Sequence, residues 1–298
     1  MATKDVVVGY DGSKCSRAAL VWGMTEARTR GLPLLIAHAG YTPTAPIAGF
    51  VTMVEPDPEA LGVAAEEMLA LAMNEVRRDA PEVEVRTAVV PGPVVPVLLN
   101  LMDGAELGVV GTRGLGTFHE LLVGSTSLQL AAHAPCPLVV VRSTESREPG
   151  TEAGRVVVGV DGSTGSAAAV AFAFEEASAR GCGLTAMSVW QVPSFESYGW
   201  GSGADDRSDR AVFQRAMGRV LSESMTGWAE KYSDVDLRQS LVHGEVAAAL
   251  VGASDGAEMV VVGSRGLGGF RSLLLGSVSH TVLQHAHSTV AVVRQPAK

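Results

Sequence analysis

Hydrophobic and polar positions divide this chain into short apolar runs and longer segments with helical spacing. Runs rich in β-branched residues, such as Asp5 to Tyr10, predict buried strands. The segment Ser16 to Arg30 predicts a helix, because it ends in basic residues followed by Gly31, as helix C-termini often do. Strands that alternate with helices in this way predict a parallel sheet with helices on both faces.

The same order of elements is predicted twice. In the first half the strands are Asp5 to Tyr10, Leu34 to Ala39, Val83 to Val90, Leu107 to Val110 and Leu138 to Arg142, and the helices are Ser16 to Arg30, Glu59 to Asp79, Val95 to Met102 and Ser125 to His133. In the second half the strands are Val156 to Val160, Leu184 to Trp190, Val235 to Val242, Met259 to Val262 and Val290 to Arg294, and the helices are Ser166 to Arg180, Asp209 to Lys231, Val246 to Ala253 and Val278 to His285. The segments Gly40 to Pro58 and Gln191 to Ala204 are predicted to be irregular. Five strands with right-handed crossovers predict a doubly wound α/β domain in each half.

A repeated motif ends the first strand of each half. Val-Val-Val-Gly-Tyr-Asp-Gly-Ser at Val6 to Ser13 returns as Val-Val-Val-Gly-Val-Asp-Gly-Ser at Val156 to Ser163, 150 residues later. The chain is therefore predicted to contain two tandem domains, residues 1–142 and 155–298. The polar segment 143–154 has no apolar periodicity and is predicted to be a linker.

A second repeated motif follows the fourth strand of each half. It consists of a glycine, two residues, a second glycine, nine residues and Gly-Ser, and it begins at Gly111 and again at Gly263. A strand that ends in flexible backbone and leads into a helix start can bind an anion with its free N–H groups. If the fourth strand lies beside the first, both motifs meet at the switch point where doubly wound sheets bind ligands. The sequence therefore predicts a phosphate cradle for a nucleotide in each half.

Alternative interpretations exist for each of these residues. The cradle glycines and serines are Gly111, Gly114, Gly124 and Ser125, with Gly263, Gly266, Gly276 and Ser277 in the second half. They could instead form a tight turn in which Ser125 is a helix N-cap. Arg113 and Arg265 could bind phosphate or be solvated. Asp11 and Asp161 could accept a hydrogen bond from base or ribose, help hold a magnesium ion, or make an Asx turn. Neither glycine loop is a Walker or a Gly-x-Gly-x-x-Gly sequence.

Composition narrows the range of functions. The chain has 298 residues, a hydrophobic content of 47% and a net charge of -9, which argues against a general nucleic-acid binder. Its cysteines, Cys15, Cys136 and Cys182, fit neither a disulfide framework nor a zinc site, and Cys136 is expected to be buried. No uncharged apolar run approaches the roughly 20 residues of a membrane span, so a soluble cytoplasmic protein is expected.

The histidines give little support for a metal or catalytic site. His133 and His285 end matching helices, where they complement the helix dipole. His285 and His287 have the spacing of a metal pair, but the sequence places no carboxylate or thiol beside them. No Ser/His/Asp or Cys/His order is shared by the two halves, so neither nucleophilic catalysis nor a protein-bound metal is predicted.

With these motifs the chain resembles the tandem members of the universal stress protein family, in particular the two-domain type of actinobacteria. The glycine loop resembles the one that marks the ATP-binding branch of that family. The resemblance also rests on Ala-Pro-Cys-Pro-Leu-Val-Val-Val at Ala134 to Val141, which is degraded at Ala286 to Val293. It implies a Rossmann-like sheet in the strand order 3-2-1-4-5, with one ATP in each half. It further implies that the last strands of the halves pair as a pseudo-dimer, with a homodimer of chains also possible.

The resemblance implies that Asp11, Asp161, Ala39 and Val189 contact adenine, and that the glycine loops take the triphosphate together with a divalent cation such as Mg²⁺. The full set of expected ATP-binding residues is Gly9, Asp11, Ala39, Gly111, Thr112, Arg113, Gly114, Gly116, Gly124, Ser125 and Thr126, with Gly159, Asp161, Val189, Gly263, Ser264, Arg265, Gly266, Gly268, Gly276, Ser277 and Val278 in the second half.

The expected function is ATP-dependent regulation of stress response, dormancy or growth through protein partners that the sequence does not identify. One rival is an ATP-using enzyme such as a slow hydrolase, but the His-x-Gly-His and Ser-Gly-Gly-x-Asp-Ser signatures of related enzymes are missing near the first strand. The other rival is an interaction module that binds no nucleotide.

Overall fold

A computed structural model describes residues 4–40, 58–114, 123–142, 150–191, 206–267 and 274–295. The chain divides into two compact units, Met1–Ser143 and Thr144–Lys298. In each unit helices pack against a parallel sheet. None of the helices in the described ranges is long and apolar enough to cross a membrane.

The described part of the first unit contains five strands and four helices. In chain order they are β1 (Val6–Gly9), α1 (Lys14–Arg30), β2 (Leu34–Gly40), α2 (Pro58–Asp79), β3 (Val85–Pro91), α3 (Val94–Leu101), β4 (Leu107–Gly111), α4 (Ser125–His133) and β5 (Leu138–Val141). The strand order is β3-β2-β1-β4-β5, and Val6 of β1 lies beside both Leu34 of β2 and Leu107 of β4. This confirms the predicted order and places the ends of β1 and β4 next to each other.

Helices cover both faces of this sheet. A Cβ built on Gly23 of α1 would lie 2.5 Å from Val8 Cγ2, whereas one built on Gly9 would lie 3.3 Å from Leu98 of α3. Because successive residues of a strand point to opposite faces, α1 and α3 lie on opposite sides of β1. Val8 itself is fully buried. The core of the unit therefore consists of two apolar layers, one on each side of the sheet.

Local signals fix both ends of α1. Ser13 is its N-cap, and its hydroxyl accepts the Ser16 N–H at 3.1 Å. The helix therefore begins at Lys14, two residues before the predicted start. It ends at Gly31, whose φ of 63° lies in the left-handed region that glycine adopts without strain.

The second unit repeats this arrangement. Its described elements are β6 (Arg155–Gly159), α5 (Thr164–Arg180), β7 (Gly183–Trp190), α6 (Asp206–Met225), α7 (Trp228–Lys231), β8 (Leu237–His243), α8 (Val246–Ala253), β9 (Met259–Gly263), α9 (Ser277–His285) and β10 (Thr289–Val293). The strand order is β8-β7-β6-β9-β10. The carboxyl ends of β6 and β9 are therefore neighbours, as those of β1 and β4 are in the first unit.

The single helix predicted over Asp209 to Lys231 is wrong, since the structure contains two helices there. Gly227 has φ of 80°, which ends the continuous helix and makes this glycine the N-cap of α7. The break directs Trp228 and Tyr232 onto Phe174 of α5, with ring centroids 6.1 and 5.8 Å from the Phe174 ring. Contact with a buried aromatic residue thus overrides the helical periodicity.

The end of the predicted linker packs against the second unit. Gly150 N–H donates to the Asp255 carbonyl at 3.1 Å, and Gly154 N–H donates to the Gly256 carbonyl at 2.9 Å. Between them Glu152 is only 6% exposed, and its carboxylate accepts the Thr185 hydroxyl. Residues 150–154 therefore belong structurally to the second unit, whereas residues 143–149 lie outside the described ranges.

Candidate functional site

An aspartate shapes the turn after the first strand of each unit. Asp11 Oδ1 accepts the Ser13 N–H at 3.0 Å, and in the second unit Asp161 Oδ1 accepts the Ser163 N–H at 2.9 Å. Each aspartate therefore makes an Asx turn, which was one of the alternatives predicted for Asp11 and Asp161. Because Oδ1 accepts this hydrogen bond, whether the carboxylate can also contact the glycine loop or a ligand depends on the position of Oδ2.

The second carboxylate oxygen lies against the glycine loop. A Cβ built on Gly114 would overlap Asp11 Oδ2, and one built on Gly266 would overlap Asp161 Oδ2. Any side chain at these two glycines would therefore displace either the loop or the carboxylate. The structure thus brings together the two repeated motifs, as the predicted switch-point arrangement requires.

Backbone hydrogen bonds close the described base of each loop. In the first unit Gly124 N–H donates to the Thr112 carbonyl at 2.7 Å, and in the second unit Gly276 N–H donates to the Ser264 carbonyl at 2.8 Å. The amides of Gly124 and Gly276, which the cradle hypothesis assigned to phosphate, are therefore already used. The loop brings the start of the next helix back to the end of the strand.

Two buried serines that the sequence analysis did not single out hold this helix start in place. Ser127 Oγ donates to the Gly111 carbonyl at 2.8 Å, and Ser279 Oγ donates to the Gly263 carbonyl at 2.6 Å. Both serines are 4% exposed. The sequence did contain a signal for these two serines, because Gly-Ser-x-Ser occurs in the same frame in both units.

The helix that follows each loop begins without a capping side chain. Gly124 is the N-cap of α4, and its φ of -71° and ψ of 153° are those of extended backbone. Gly276 has the same role in α9. The alternative in which Ser125 is the N-cap is therefore wrong, since Ser125 is the first helical residue.

These uncapped helix starts leave backbone donors at the end of each crevice. Among the described residues, no acceptor is found for the N–H groups of Ser125 and Thr126, nor for those of Ser277 and Val278. The N-terminus of a helix also carries a partial positive charge, which favours a bound anion. The donors that remain available for an anion are therefore the N–H groups at the start of the helix, whereas the N–H of the preceding glycine is bonded within the loop.

Thr112 and Ser264, which the sequence analysis assigned to the site, have buried side chains that are 4% exposed. Thr112 Oγ1 lies 3.7 Å from Cys15 Sγ in α1. The Thr112 side chain therefore packs beneath the loop. Their carbonyls close the loops, so these two residues act on the site through their backbone.

Arginines lie at the mouth of the crevice. Arg113 and Arg265 directly precede Gly114 and Gly266 and are exposed. Arg142, which follows β5, is partly buried, and this burial lowers its pKa to about 10, with a further contribution from the nearby charge of Arg113. Arg294 has the same relation to Arg265, since burial and then that charge lower the pKa of Arg294.

The second unit contains a cavity of about 470 Å³ at this place. Its volume lies in the range of small-molecule sites, about 300–1,000 Å³. Of the predicted site residues, those that line it are Gly159, Asp161, Val189, Gly263, Arg265, Gly266, Gly276, Ser277 and Val278. Met187, Val246, Leu250 and Val262 give it an apolar wall that the sequence analysis did not identify.

The first unit has the corresponding apolar contacts. A Cβ on Gly9 would lie 3.1 Å from Val110 and 3.3 Å from Leu98, and one on Gly159 would lie 3.2 Å from Leu250. Ala39 lies near the end of β2, beside Val90 of β3. Gly116 and Gly268, also expected at the site, lie outside the described residues.

Cys136 and His287 precede β5 and β10, so they lie at the end of the strands opposite to this crevice. Cys136 is buried, as predicted, and burial raises the pKa of its thiol to about 11. His287 does have a carboxylate beside it, because its Nδ1 lies 2.6 Å from Asp255 Oδ1. Across the described ranges no three His, Cys, Asp or Glu side chains form a group that could hold a metal ion.

Fold and site together define a doubly wound α/β protein in which two repeated motifs meet at the switch point of each unit, where the second unit has a largely apolar cavity with polar groups at its edge. The universal stress protein family matches residues 2–142 and 152–294, once in each unit. The chain therefore belongs to the universal stress protein family, which confirms the resemblance seen in the sequence.

Mycobacterial relatives match along almost the full chain. Universal stress protein Rv2005c of Mycobacterium tuberculosis is 37% identical over 299 residues, which cover 97% of each chain. Universal stress protein Rv2623 of the same species is 33% identical over 295 residues, which cover 97% of this chain and 96% of that one. Among solved structures, a universal stress protein of Archaeoglobus fulgidus superposes with a TM-score of 0.67 at 17% identity, covering 98% of this chain and 96% of that chain. At this identity the structural likeness establishes the fold.

Proposed function

We propose that each unit binds one ATP in the crevice between its first and fourth strands, and that nucleotide occupancy regulates the protein's role in stress response, dormancy or growth. The observation that carries this proposal is the contact between Asp161 Oδ2 and Gly266, at the edge of a cavity that ends in an uncapped helix. The same contact between Asp11 and Gly114 supports a second site in the first unit.

The apolar part of the cavity suits the adenine base. Met187 and Val189 at the end of β7 lie on one side, and Leu250 of α8 and Val262 of β9 provide further apolar wall. A purine ring gains free energy when such side chains remove its faces from water. Polar groups at the edge, including Asp161, would then orient the base or the ribose.

The polar end of the cavity suits the phosphates. The N–H groups of Ser277 and Val278 begin α9, and Arg265 lies near the start of the glycine loop that leads into this helix. The carboxylate of Asp161 would repel a phosphate placed directly against it, so the phosphates extend away from Asp161 toward the helix start. The closed loop base at Gly276 keeps those two amides in position.

The residues at this site fit a magnesium ion that is held through the nucleotide. Asp161 is the one carboxylate among the described residues that line the cavity, and it already accepts two backbone N–H groups. A magnesium ion would therefore take its ligands from phosphate oxygens and water, which it commonly does at nucleotide sites. In that position it would neutralise part of the phosphate charge.

The first experiment asks which small molecule the protein carries. One sample of purified protein is denatured, and the released molecules are identified by mass spectrometry. A second, folded sample from which bound nucleotide has been removed is titrated with MgATP by calorimetry. We expect an adenine nucleotide in the released fraction, or saturable ATP binding with about two sites per chain. If neither is found with folded protein, the nucleotide function is wrong and the interaction-module alternative gains support. Production of ADP above the background of a Gly114→Ala/Gly266→Ala variant would instead revive the hydrolase.

A further inference from the structure

Arg142 and Arg294 occupy equivalent places at the edge of the two crevices. Val141, the last residue of β5, lies beside Gly111, and its carbonyl accepts the Thr112 N–H at 3.2 Å. Arg142 therefore leaves the sheet next to the start of the glycine loop. Arg294 does the same in the second unit, because the preceding Val293 lies beside Gly263 and accepts the Ser264 N–H at 2.8 Å.

The side chain of Arg294 reaches toward the helix start. Its Nη2 donates to the Leu274 carbonyl at 3.3 Å, and Leu274 stands two residues before Gly276, the N-cap of α9. Alternation along the strand agrees with this direction. Val293 lies beside Gly263, whose Cβ would meet α5, so the next residue points to the opposite face. Arg294 therefore contacts the segment that leads into α9, whose first residues are Ser277 and Val278.

The strand order also sets the distance along which a nucleotide would extend. Base-contacting residues lie at the end of β7, and Arg294 lies at the end of β10, with β6 and β9 between them. Three strand spacings of about 4.8 Å make about 14 Å. An extended nucleoside triphosphate spans a distance of this order, so its last phosphates would come near Arg294.

The electrostatics of this corner favour an anion. Arg142 is partly buried near Arg113, and Arg294 is partly buried near Arg265, which lines the cavity of the second unit, so each unit holds two cations close together beside its glycine loop. Two like charges that lie close together add to the positive potential at this place, which favours a bound polyanion. The arrangement occurs in both units, although the flanking sequences differ.

We propose that Arg142 and Arg294 bind the terminal phosphates of ATP, each together with the arginine of its glycine loop, and thereby make the sites prefer ATP over AMP. This inference rests on the proposed nucleotide function. Neither arginine belongs to the repeated glycine motif, since each directly follows the last strand of its unit. They are specificity-determining residues, because AMP lacks the phosphates that they would contact.

The test compares two nucleotides on the full chain. Calorimetry measures the affinity of the Arg142→Gln/Arg294→Gln variant for MgATP and for AMP. We expect the ATP affinity to fall by about 10-fold or more, as for the loss of a hydrogen bond between charged groups, while AMP affinity changes less than about 2-fold. The Arg142→Lys/Arg294→Lys variant, which keeps the charges, should retain part of the preference for ATP.

The matched control is Arg77→Gln/Arg78→Gln, which removes two exposed arginines from α2 and should leave both affinities unchanged. Equal loss of ATP and AMP affinity in a folded glutamine variant would overturn the inference, and so would an unchanged ATP affinity. If the glutamine variant fails to fold, the lysine variant decides, since an unchanged ratio of ATP to AMP affinity with both affinities reduced would also overturn it. Wild-type protein that binds neither nucleotide would instead end the proposed function itself.

Discussion

Asp161 and Leu267 are joined by a hydrogen bond of 2.9 Å, in which the loop N–H donates to the Oδ2 oxygen of the carboxylate. The Oδ1 oxygen of the same carboxylate accepts the Ser163 N–H at 2.9 Å. One side chain therefore fixes both the turn after β6 and the loop after β9. The shape of the crevice depends on this carboxylate before any ligand enters.

Replacing this aspartate should affect both stability and binding. The Asp161→Ala variant loses two charge-assisted hydrogen bonds to backbone amides, and we expect the free energy of unfolding to fall by about 1.5–3 kcal/mol. Loss of the loop anchor should also weaken ATP binding in the second unit. Urea unfolding measures the first effect and calorimetry the second. A variant with unchanged stability would contradict the structural role assigned to Asp161.

The contact between Gly266 and Asp161 predicts a specific effect of one methyl group. The Gly266→Ala variant forces its Cβ onto Asp161 Oδ2, and overpacking of this kind costs about 1–3 kcal/mol, so ATP binding in the second unit should weaken by about 10-fold or more. Calorimetry is the measurement. The matched control is Gly252→Ala in α8, where nothing lies within 4 Å of the added Cβ. Equal affinities in the two variants would contradict the proposed contact.

The serine anchors predict a smaller effect. Ser279→Ala removes the bond from Oγ to the Gly263 carbonyl in a buried place, and we expect a loss of about 1 kcal/mol in the free energy of unfolding. ATP affinity in the second unit should fall as well, because the first turn of α9 is no longer tied to β9. Ser222→Ala on an exposed part of α6 is the control. No difference between Ser279→Ala and the control in either measurement would refute the anchoring role.

A buried ion pair far from the crevice offers a variant that should lower stability without changing ATP affinity. Arg180 Nη2 lies 2.9 Å from Glu176 Oε2, and the Glu176 side chain is 0% exposed. The Arg180→Ala variant removes the cation that compensates this carboxylate, which typically costs about 3–5 kcal/mol. ATP affinity, measured where the variant is still folded, should stay within about 2-fold of wild type. A large change in affinity with little change in stability would reverse this assignment.

Cys136 gives a prediction for pH. Burial raises the pKa of its thiol from 9.0 to about 11, so the folded state resists ionisation that the unfolded state undergoes. The stabilisation is therefore fully present below about pH 9 and is lost as the pH rises to about 11, with a total on the order of 2–3 kcal/mol. Free energies of unfolding from pH 8 to 11 test this. The Cys136→Ala variant should lose less stability over that range than wild type, and parallel curves would contradict the prediction.

Much of the fold could be predicted from the sequence because the repeated motifs mark equivalent points in both units. β-branched runs identified the strands, and Gly31 and Gly181 marked the ends of α1 and α5. The break at Gly227 could not be predicted from periodicity. It depends on the contact of Trp228 with Phe174, which lie far apart in the chain.

The site was predicted less completely for a related reason. The sequence indicated which glycines matter but not which amides they leave available, because Gly124 and Gly276 close the loop through backbone bonds. It also gave no sign that residues 150–154 pack on the second unit, since a buried carboxylate, Glu152, makes the contact in place of apolar side chains. The pairing of the last strands of the two halves stays a prediction.

The most direct test of the central claim is native mass spectrometry of the full chain with MgATP. The account predicts two ATP molecules bound to wild-type protein, one to either Gly114→Ala or Gly266→Ala, and none to the double variant at the same nucleotide concentration. Wild-type protein that binds no ATP, or a double variant that still binds two, would contradict it.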